Sequence, residues 1–387
     1  MQRQLSFLHY FIILALLALH PRLVEADSFD QPSLITRRMS ISSQPKFQNW
    51  QLTDQEQQKT ITQLILPLNV DFSLSSRTRI QITQSHVRSD LQSKNVGSQP
   101  DIERIELLGF GDVKAKLFHV FSDRFLLVGG LSLPTGKKEI NREENMVSAA
   151  LFDQSLDFEV GRLGEGWGFN LGTGYVHSFS NATVSLGANY LYRDSYLKKY
   201  LDFMIENPVY DPGQEYSMAV GIDVGKDTIQ WRSDAIYTYH TPETLDQKKY
   251  FRQGSNLLLD GGLAYIKHRF QVELFGQYLR YWDSKRPDSE GDLDILIYDL
   301  NNRWVYGISA RYRVGQKTTV FGSISDKQIR THSDKKFSAI RAYALNLFYR
   351  LTPNLAFTSG VKISSGDMTQ QVELSGLSLY AALTTGF

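Results

Sequence analysis

Hydrophobic and polar residues alternate along many stretches of this chain with a period of two. In residues 269–282, apolar side chains such as Phe270 and Leu274 share one face, and Glu273 lies on the opposite face. The same alternation recurs in three other stretches of ten or more residues: 63–74, 228–240 and 302–314. This period predicts β-strands, and a tilted strand that crosses a membrane needs about 9–11 residues. We therefore predict an all-β protein whose strands form a transmembrane, antiparallel, up-and-down β-barrel.

Short and long connections alternate between the predicted strands, as in a barrel with short periplasmic turns and long outer loops. Seven connections are short, and most contain a Gly, Asn, Asp or Pro residue that favours a tight turn: 75–77, 122–124, 180–181, 224–227, 267–268, 314–317 and 352–354. With a first strand at 41–52 and a final strand, these hairpins predict about 16 strands, in a range of roughly 12–16. The range reflects residues 135–165, where Leu156, Phe158 and Val160 alternate and would fit an extra outer hairpin.

The N-terminal end of the chain has the pattern of a secretory signal peptide. Arg3 supplies a positive charge, and residues 11–19 form an apolar run that is too short to span a bilayer. Small or apolar residues precede Asp27, so we predict a signal peptide over 1–26. We further predict a flexible periplasmic segment over 27–40 and the barrel over 41–387.

The last predicted strand ends on an aromatic residue. Phe387 closes the alternating stretch 376–387 in its apolar register, although Thr385 departs from the pattern. A terminal aromatic residue of this kind is typical of the signal that the barrel-assembly machinery of Gram-negative bacteria reads. We predict that Phe387 is an assembly signal and that the protein lies in the outer membrane. Its predicted partners are outer-membrane lipids, lipopolysaccharide, the assembly machinery and a small-molecule solute.

Composition narrows the function further. The chain has 42 basic and 41 acidic residues; the predicted signal peptide contains Arg3, Arg22 and Glu25, so 40 of each remain and the net charge is zero. A neutral total does not favour nucleic acid as a partner. There are no cysteines, which excludes disulfides and thiolate catalysis. No arrangement of catalytic residues stands out, and we predict no enzymatic activity, cofactor or metal.

Several ionisable residues occupy the polar register of the predicted strands, so they are candidates to line the lumen. They are Arg232, Asp234, Arg269, Glu273, Arg303, Arg311 and Arg313. Charges of both signs on neighbouring strands can form a ladder that lines a pore. They can equally brace a closed barrel by pairing with one another, and the sequence leaves both interpretations open.

Residues 109–138 read GFGDVKAKLFHVFSDRFLLVGGLSLPTGKK. The G-x-G-D opening, the Gly-rich strand and the L-P-T-G-K ending resemble a family of outer-membrane transporters associated with phenol meta-pathway degradation. The resemblance implies a channel or transporter for small molecules, including hydrophobic or aromatic ones, and it carries no substrate residues. A structural or adhesive barrel with ligand-binding outer loops is the alternative, and an outer-membrane hydrolase is a third hypothesis.

Overall fold

A computed structural model describes residues 39–95, 103–137, 140–153, 155–197, 209–226, 228–288, 293–297, 302–330, 336–368 and 372–386. The predicted signal peptide, most of the predicted segment 27–40 and Phe387 lie outside these ranges. Among the described residues, no helix has both the length and the apolar character needed to cross a membrane.

The described residues form 24 strands and a helix, α1 (Arg142–Leu151). The strands are β1 (Met39–Ser43), β2 (Lys46–Thr53), β3 (Gln57–Ser75), β4 (Thr78–Asn95), β5 (Glu103–Phe110), β6 (Val113–Ser122), β7 (Phe125–Leu133), β8 (Gly168–Ser178), β9 (Ala182–Arg193), β10 (Tyr196–Leu197), β11 (Val209–Asp211), β12 (Glu215–Lys226), β13 (Ile229–His240), β14 (Glu243–Leu245), β15 (Lys248–Phe251), β16 (Asn256–Lys267), β17 (Phe270–Tyr281), β18 (Ser284–Pro287), β19 (Leu293–Ile297), β20 (Asn302–Arg313), β21 (Thr318–Arg330), β22 (Lys336–Thr352), β23 (Leu355–Met368) and β24 (Val372–Gly386).

Eighteen of these strands form one closed antiparallel sheet. β1 and β2 lie end to end between β24 and β3, so together they make a single crossing. β5 and β6 likewise share the edge of β4. The sheet therefore has sixteen crossings, and pairing of β24 with both β23 and β1–β2 closes it. This confirms the predicted up-and-down barrel of 16 strands and its seven short turns.

The remaining strands pair outside the barrel sheet. β10, β11, β14 and β15 form a four-stranded sheet, and β18 pairs with β19. Both groups belong to long connections at the same end of the barrel. We call this the loop end, and the end with the seven short turns is the turn end.

The outer face of the barrel is an apolar band between two rows of aromatic side chains. Exposed residues in the band include Leu127, Leu171, Leu186, Leu263, Leu274, Ile308, Leu345 and Ile363. Rings gather toward the loop end, where Tyr278 stacks on Trp304 at 4.0 Å and Phe169 stacks on Tyr192 at 5.1 Å. Toward the turn end, Phe125 lies 4.9 Å from Tyr175. Aromatic rows on both sides of an apolar band are the pattern of a barrel that crosses a bilayer.

The wall of the barrel has two sectors of different height. In the tall sector, formed by β1–β5 and β22–β24, strands β3, β4 and β22 have 19, 18 and 17 residues. In the short sector, formed by β7–β9, β12, β13, β16, β17 and β20, the strands have 9 to 12 residues. The tall strands extend toward the loop end, where their outer surface carries ion pairs such as Arg104–Asp90 at 3.0 Å.

The connection between β7 and β8 folds into the lumen and packs against the tall sector. We call its described residues, 140–153 and 155–166, the inward segment. Helix α1 begins with a capping box, in which the Asn141 side chain accepts from the Glu144 backbone and the Glu144 side chain accepts from the Asn141 backbone. The buried side chains of the segment join those of the surrounding strands in one cluster: Val147, Leu151, Leu156 and Leu163 with Trp50, Ile61, Ile65, Val87, Ile105, Leu107, Ile340 and Leu374.

The alternative of an extra outer hairpin over 135–165 is therefore wrong. Leu156 is fully buried in the inner cluster, and no strand forms between β7 and β8 among the described residues. The alternation of Leu156, Phe158 and Val160 instead reflects contacts with the inner wall, where Leu156 belongs to the cluster and the other two pack against it.

Candidate functional site

The G-x-G-D and L-P-T-G-K motifs hold the inward segment at its two ends. The buried Asp112 carboxylate accepts from the backbone N–H of Gly136 at 2.7 Å. It also accepts from the N–H groups of Glu165 at 2.6 Å and Gly166 at 3.1 Å. Thr135 Oγ1 accepts from Val113 N at 2.9 Å. Hydrogen bonds to an ionised carboxylate are stronger than those between neutral groups, so Asp112 fixes the entrance and exit of the segment together.

A glycine in the same motif allows the close approach of the segment to the wall. A Cβ atom at Gly136 would lie 2.5 Å from the Leu163 carbonyl oxygen and 2.8 Å from Asp112 Oδ1. These distances are shorter than packed atoms tolerate, so a larger residue would push the exit of the segment away from Asp112.

Between its ends, the segment presents one carboxylate to three cations on the inner faces of β20, β21 and β23. Asp157 Oδ2 lies 2.7 Å from Lys327 Nζ and 4.0 Å from Lys362 Nζ. Asp157 Oδ1 lies 3.9 Å from Arg303 Nη1. Lys327 Nζ also donates to the Ser155 carbonyl at 2.6 Å. Asp157 has a φ of 53°, a left-handed conformation that is uncommon outside glycine but that Asp adopts more readily than most residues.

These groups surround a cavity of about 230 Å³, which we call the upper cavity. Its charged lining residues are Asp157, Arg303, Lys327 and Lys362, so three cations face one anion and the local charge is +2. Trp50, Val305, Ile340 and Ala342 provide an apolar part of the lining. The cavity thus combines an excess of positive charge with an apolar surface at the narrowed level of the lumen.

A chain of polar contacts runs from this cavity toward the turn end. Arg303 Nη2 donates to Gln277 Oε1 at 3.1 Å, and Gln277 Nε2 donates to Asp260 Oδ2 at 3.4 Å. Arg232 Nη2 then lies 3.9 Å from Asp260 and 3.7 Å from Glu273. The contacts cross from β20 to β17, β16 and β13, so they form a ladder on the inner face of neighbouring strands.

The lower part of this ladder borders a second cavity, of about 200 Å³, which we call the lower cavity. Its charged lining residues are Asp223, Arg232, Glu273 and Arg311, so two anions balance two cations. The glycine at 262 leaves room for this arrangement, because a Cβ atom there would lie 2.7 Å from Glu273 Oε1. The lower cavity therefore lacks the charge excess of the upper cavity.

The structure separates the seven candidate lumen residues by position. Arg232, Glu273 and Arg303 belong to the ladder, and Arg311 lines the lower cavity. Asp234 is on the inner face of β13, opposite Asp260 of β16. The other two are at the turn end: Arg313 is the last residue of β20, and Arg269 precedes β17 in the turn. There the Arg269 carbonyl accepts from Arg313 N at 2.9 Å.

Sequence reasoning missed four residues that shape this region: Asp112, Asp157, Lys327 and Lys362. The two lysines carried a usable signal, since each is a cation in the inward register of an alternating strand. Asp157 had no such signal, because its placement depends on the path of the inward segment. Asp112 was visible within its motif, but its contacts with residues 136, 165 and 166 are not local.

Within the short sector, strands β7–β9 and β12 have many small or uncharged polar side chains on their inner face, whereas β13, β16, β17 and β20 carry the charged ladder. In β7–β9 and β12, the small or uncharged polar residues that alternate with the exposed apolar ones include Gly130, Ser132, Asn170, Gly172, Gly174, Ser185, Gly187, Asn189, Ser217, Ala219 and Gly221, and larger residues such as Leu126, Val128 and Asp223 share their register. Such residues fill little of the space inside a wall. The inward segment and the small residues of β7–β9 and β12 therefore border the same lumen from different sides.

No protein-family model matches the chain, and no curated protein matches it either. The resemblance of residues 109–138 to transporters associated with phenol degradation therefore stays a prediction.

Solved structures resemble the chain in shape. A low-pH structure of Pseudomonas putida OprB is 8% identical, with 93% of this chain and 100% of that chain covered and a TM-score of 0.49. Pseudomonas aeruginosa OccK7 is 9% identical, covering 91% and 99%, with a TM-score of 0.48. The CymD monoaromatic hydrocarbon channel is 12% identical, covering 93% and 91%, with a TM-score of 0.43. At these values the likenesses carry no conclusion about what passes through the barrel.

Proposed function

We propose that this protein is a non-enzymatic channel of the bacterial outer membrane that admits small molecules. The apolar outer band between aromatic rows supports a place in a bilayer. A closed antiparallel barrel is a form in which proteins cross the outer membrane, and sixteen-stranded barrels leave an aqueous channel. In this orientation the turn end faces the periplasm and the loop end faces outward.

The observation that carries the proposal is the pairing of a narrowed lumen with a charged lining. The inward segment occupies the side of the tall sector, and its contacts with Lys327 and the Ser338 hydroxyl hold it there. Strands β7–β9 and β12 of the short sector have many small inner side chains. A solute would then pass between the segment and the small residues, along the polar ladder. Inner charges on low-dielectric walls focus the local field on such a solute.

Conductance in planar bilayers tests the proposal directly. Purified wild-type protein is expected to give stepwise current. A variant in which residues 140–163 are replaced by a short Gly-Ser linker is expected to give larger steps, roughly two- to threefold, because more of the sixteen-stranded lumen is open. Heat-modifiable mobility on gels confirms that each barrel is folded. Current in the linker variant but none in the wild type would contradict an open channel and favour a structural or adhesive barrel.

The partners follow from the same proposal. Phe387 is proposed as the signal for the barrel-assembly machinery, and outer-membrane lipids and lipopolysaccharide as the surroundings of the apolar band. Deletion of Phe387 is expected to lower the folded form in the outer membrane and raise degradation in the periplasm. Wild-type amounts of inserted barrel in the deletion strain would contradict this role.

A further inference from the structure

We infer that the upper cavity is a binding site for small organic anions that carry a carboxylate on a compact apolar body. The inference deepens the proposed function, on which it rests for the passage of the solute. The inference specifies the chemical class of solute that the upper cavity, at the narrowed level of the lumen, would bind in preference to others.

The positive charge of the cavity is only partly neutralised. Asp157 pairs closely with Lys327, while Lys362 and Arg303 stay 4.0 and 3.9 Å from that carboxylate. The Lys362 side chain is 40% exposed. Its ammonium group is too far from Asp157 for a hydrogen bond. An arriving carboxylate would therefore meet a cation with donors to offer.

Two further donors in the lining are unused within the described part of the chain. Arg303 Nε and Trp50 Nε1 are buried and have no hydrogen-bond partner there. A buried donor without a partner costs free energy, and a ligand or solvent oxygen that reaches it removes this cost. Both nitrogens are donors only, so they favour a ligand that accepts hydrogen bonds, as a carboxylate does.

The apolar lining of the cavity determines the size and chemical character of the ligand's body, the part other than its carboxylate. The Trp50 indole lies over Gly376, where a Cβ atom would lie 2.7 Å from the ring. This glycine lets the indole lie flat against β24, beside Ile340 and Ala342 of the same cavity. A volume of about 230 Å³ is below the usual 300–1,000 Å³ of drug-sized sites. The cavity therefore suits a single small ring or a short aliphatic chain.

The lower cavity of the same barrel can be compared with the upper cavity, because its lining has a different balance of charge. Its two cations are matched by two carboxylates, and it has no tryptophan in its lining. Retention of an organic anion should therefore depend on residues 303 and 362 and not on the charges near the turn end.

Benzoate and its neutral analogue benzamide are suitable probes. Calorimetric titration of the detergent-folded protein is expected to show benzoate binding at least about tenfold tighter than benzamide, since charge-assisted hydrogen bonds are the stronger ones. In bilayers, a potassium chloride gradient is expected to show preference for chloride, and benzoate is expected to interrupt the current. Lys362→Gln and Arg303→Gln should each weaken benzoate binding about five- to tenfold.

Lys317→Gln is the matched control, because it removes the same charge from an exposed turn between β20 and β21. It should leave benzoate binding and ion preference unchanged. Equal binding of benzoate and benzamide, or equal loss in the control and in Lys362→Gln, would overturn the inference. The two claims separate in this design: absence of current in every folded variant contradicts the channel, while titration alone decides the anion site.

Discussion

The tall and short sectors share one outer face and differ in their inner faces. Outside, both present leucine, isoleucine and aromatic residues to the surroundings. Inside, the tall sector presents Ile61, Ile65 and Val87 to the inward segment, whereas β8 and β9 present Gly172, Gly187 and neighbouring polar residues. Strand alternation therefore fixes the membrane face of the whole barrel, while the kind of inner residue decides where the lumen is filled.

This difference also explains the strand lengths. A helix that packs inside a barrel needs wall on which to bury its apolar face, and α1 buries Val147 and Leu151 against tall strands. The short strands have 9 to 12 residues, close to the length that a tilted membrane crossing requires. The extra length of the tall sector thus supports the constriction.

The largest expected effect concerns the packing of the inward segment. Val147 is fully buried and its neighbour Met146 is 48% exposed. Val147→Asp would bury an unpaired charge, which we expect to cost the packed segment about 3–5 kcal/mol. Proteolysis within residues 140–165 should increase while the barrel keeps its heat-modifiable mobility. Met146→Asp is the control and should stay resistant, and equal cleavage of both variants would show that the segment does not depend on this core.

The next effect tests whether the sectors share one outer face. Leu274 in the short sector and Ile363 in the tall sector are 54% and 55% exposed. Arginine on a lipid face costs about 2–4 kcal/mol near the bilayer midplane, so Leu274→Arg and Ile363→Arg should both reduce insertion into the outer membrane. Glu273→Arg, on the inner face next to Leu274, should insert and alter conductance. If Leu274→Arg and Glu273→Arg were tolerated equally, the register of β17 would be wrong.

A smaller effect is expected at the base of the inward segment. Asp112→Asn keeps the shape of the side chain but removes its charge, and hydrogen bonds to charged groups contribute about 1.5–3 kcal/mol. The segment should become more mobile, seen as greater current noise and faster hydrogen exchange in residues 136 and 165–166. Asp123→Asn, in the exposed turn between β6 and β7, should change neither. If hydrogen exchange in residues 136 and 165–166 were unchanged in Asp112→Asn, the Asp112 carboxylate would not be what holds the two ends of the inward segment.

The barrel could be predicted from the sequence because the features that specify it, strand alternation and short turns, are local along the chain. Alternation assigned Leu274 outward and Glu273 inward, and the short turns fixed the number of hairpins. The cavity depends on contacts of another kind: Asp157 meets Lys327 and Lys362 across more than 150 residues of chain. Leu156, Phe158 and Val160 alternate as in a hairpin strand, yet tertiary packing of this segment against Ile61 and Ile105 turns it inward. Period alone cannot distinguish an apolar row that faces lipid from one that faces an inner core.

The smallest expected effect tests the open side of the lumen. Gly174 of β8 faces inward, and a Cβ atom there would make only ordinary contacts, 3.8 Å from Leu126 Cβ and from the Leu186 carbonyl. Gly174→Phe should therefore fold, and its ring would occupy part of the aqueous cross-section that a sixteen-stranded barrel leaves. We expect single-channel conductance to fall by roughly a fifth to a half. Gly129 of β7 faces outward, and a Cβ atom there would have no other atom within 4 Å, so Gly129→Phe is the matched control and should conduct like the wild type. If conductance were the same in both variants, solutes would not pass along β8, and the short sector would not be the open side.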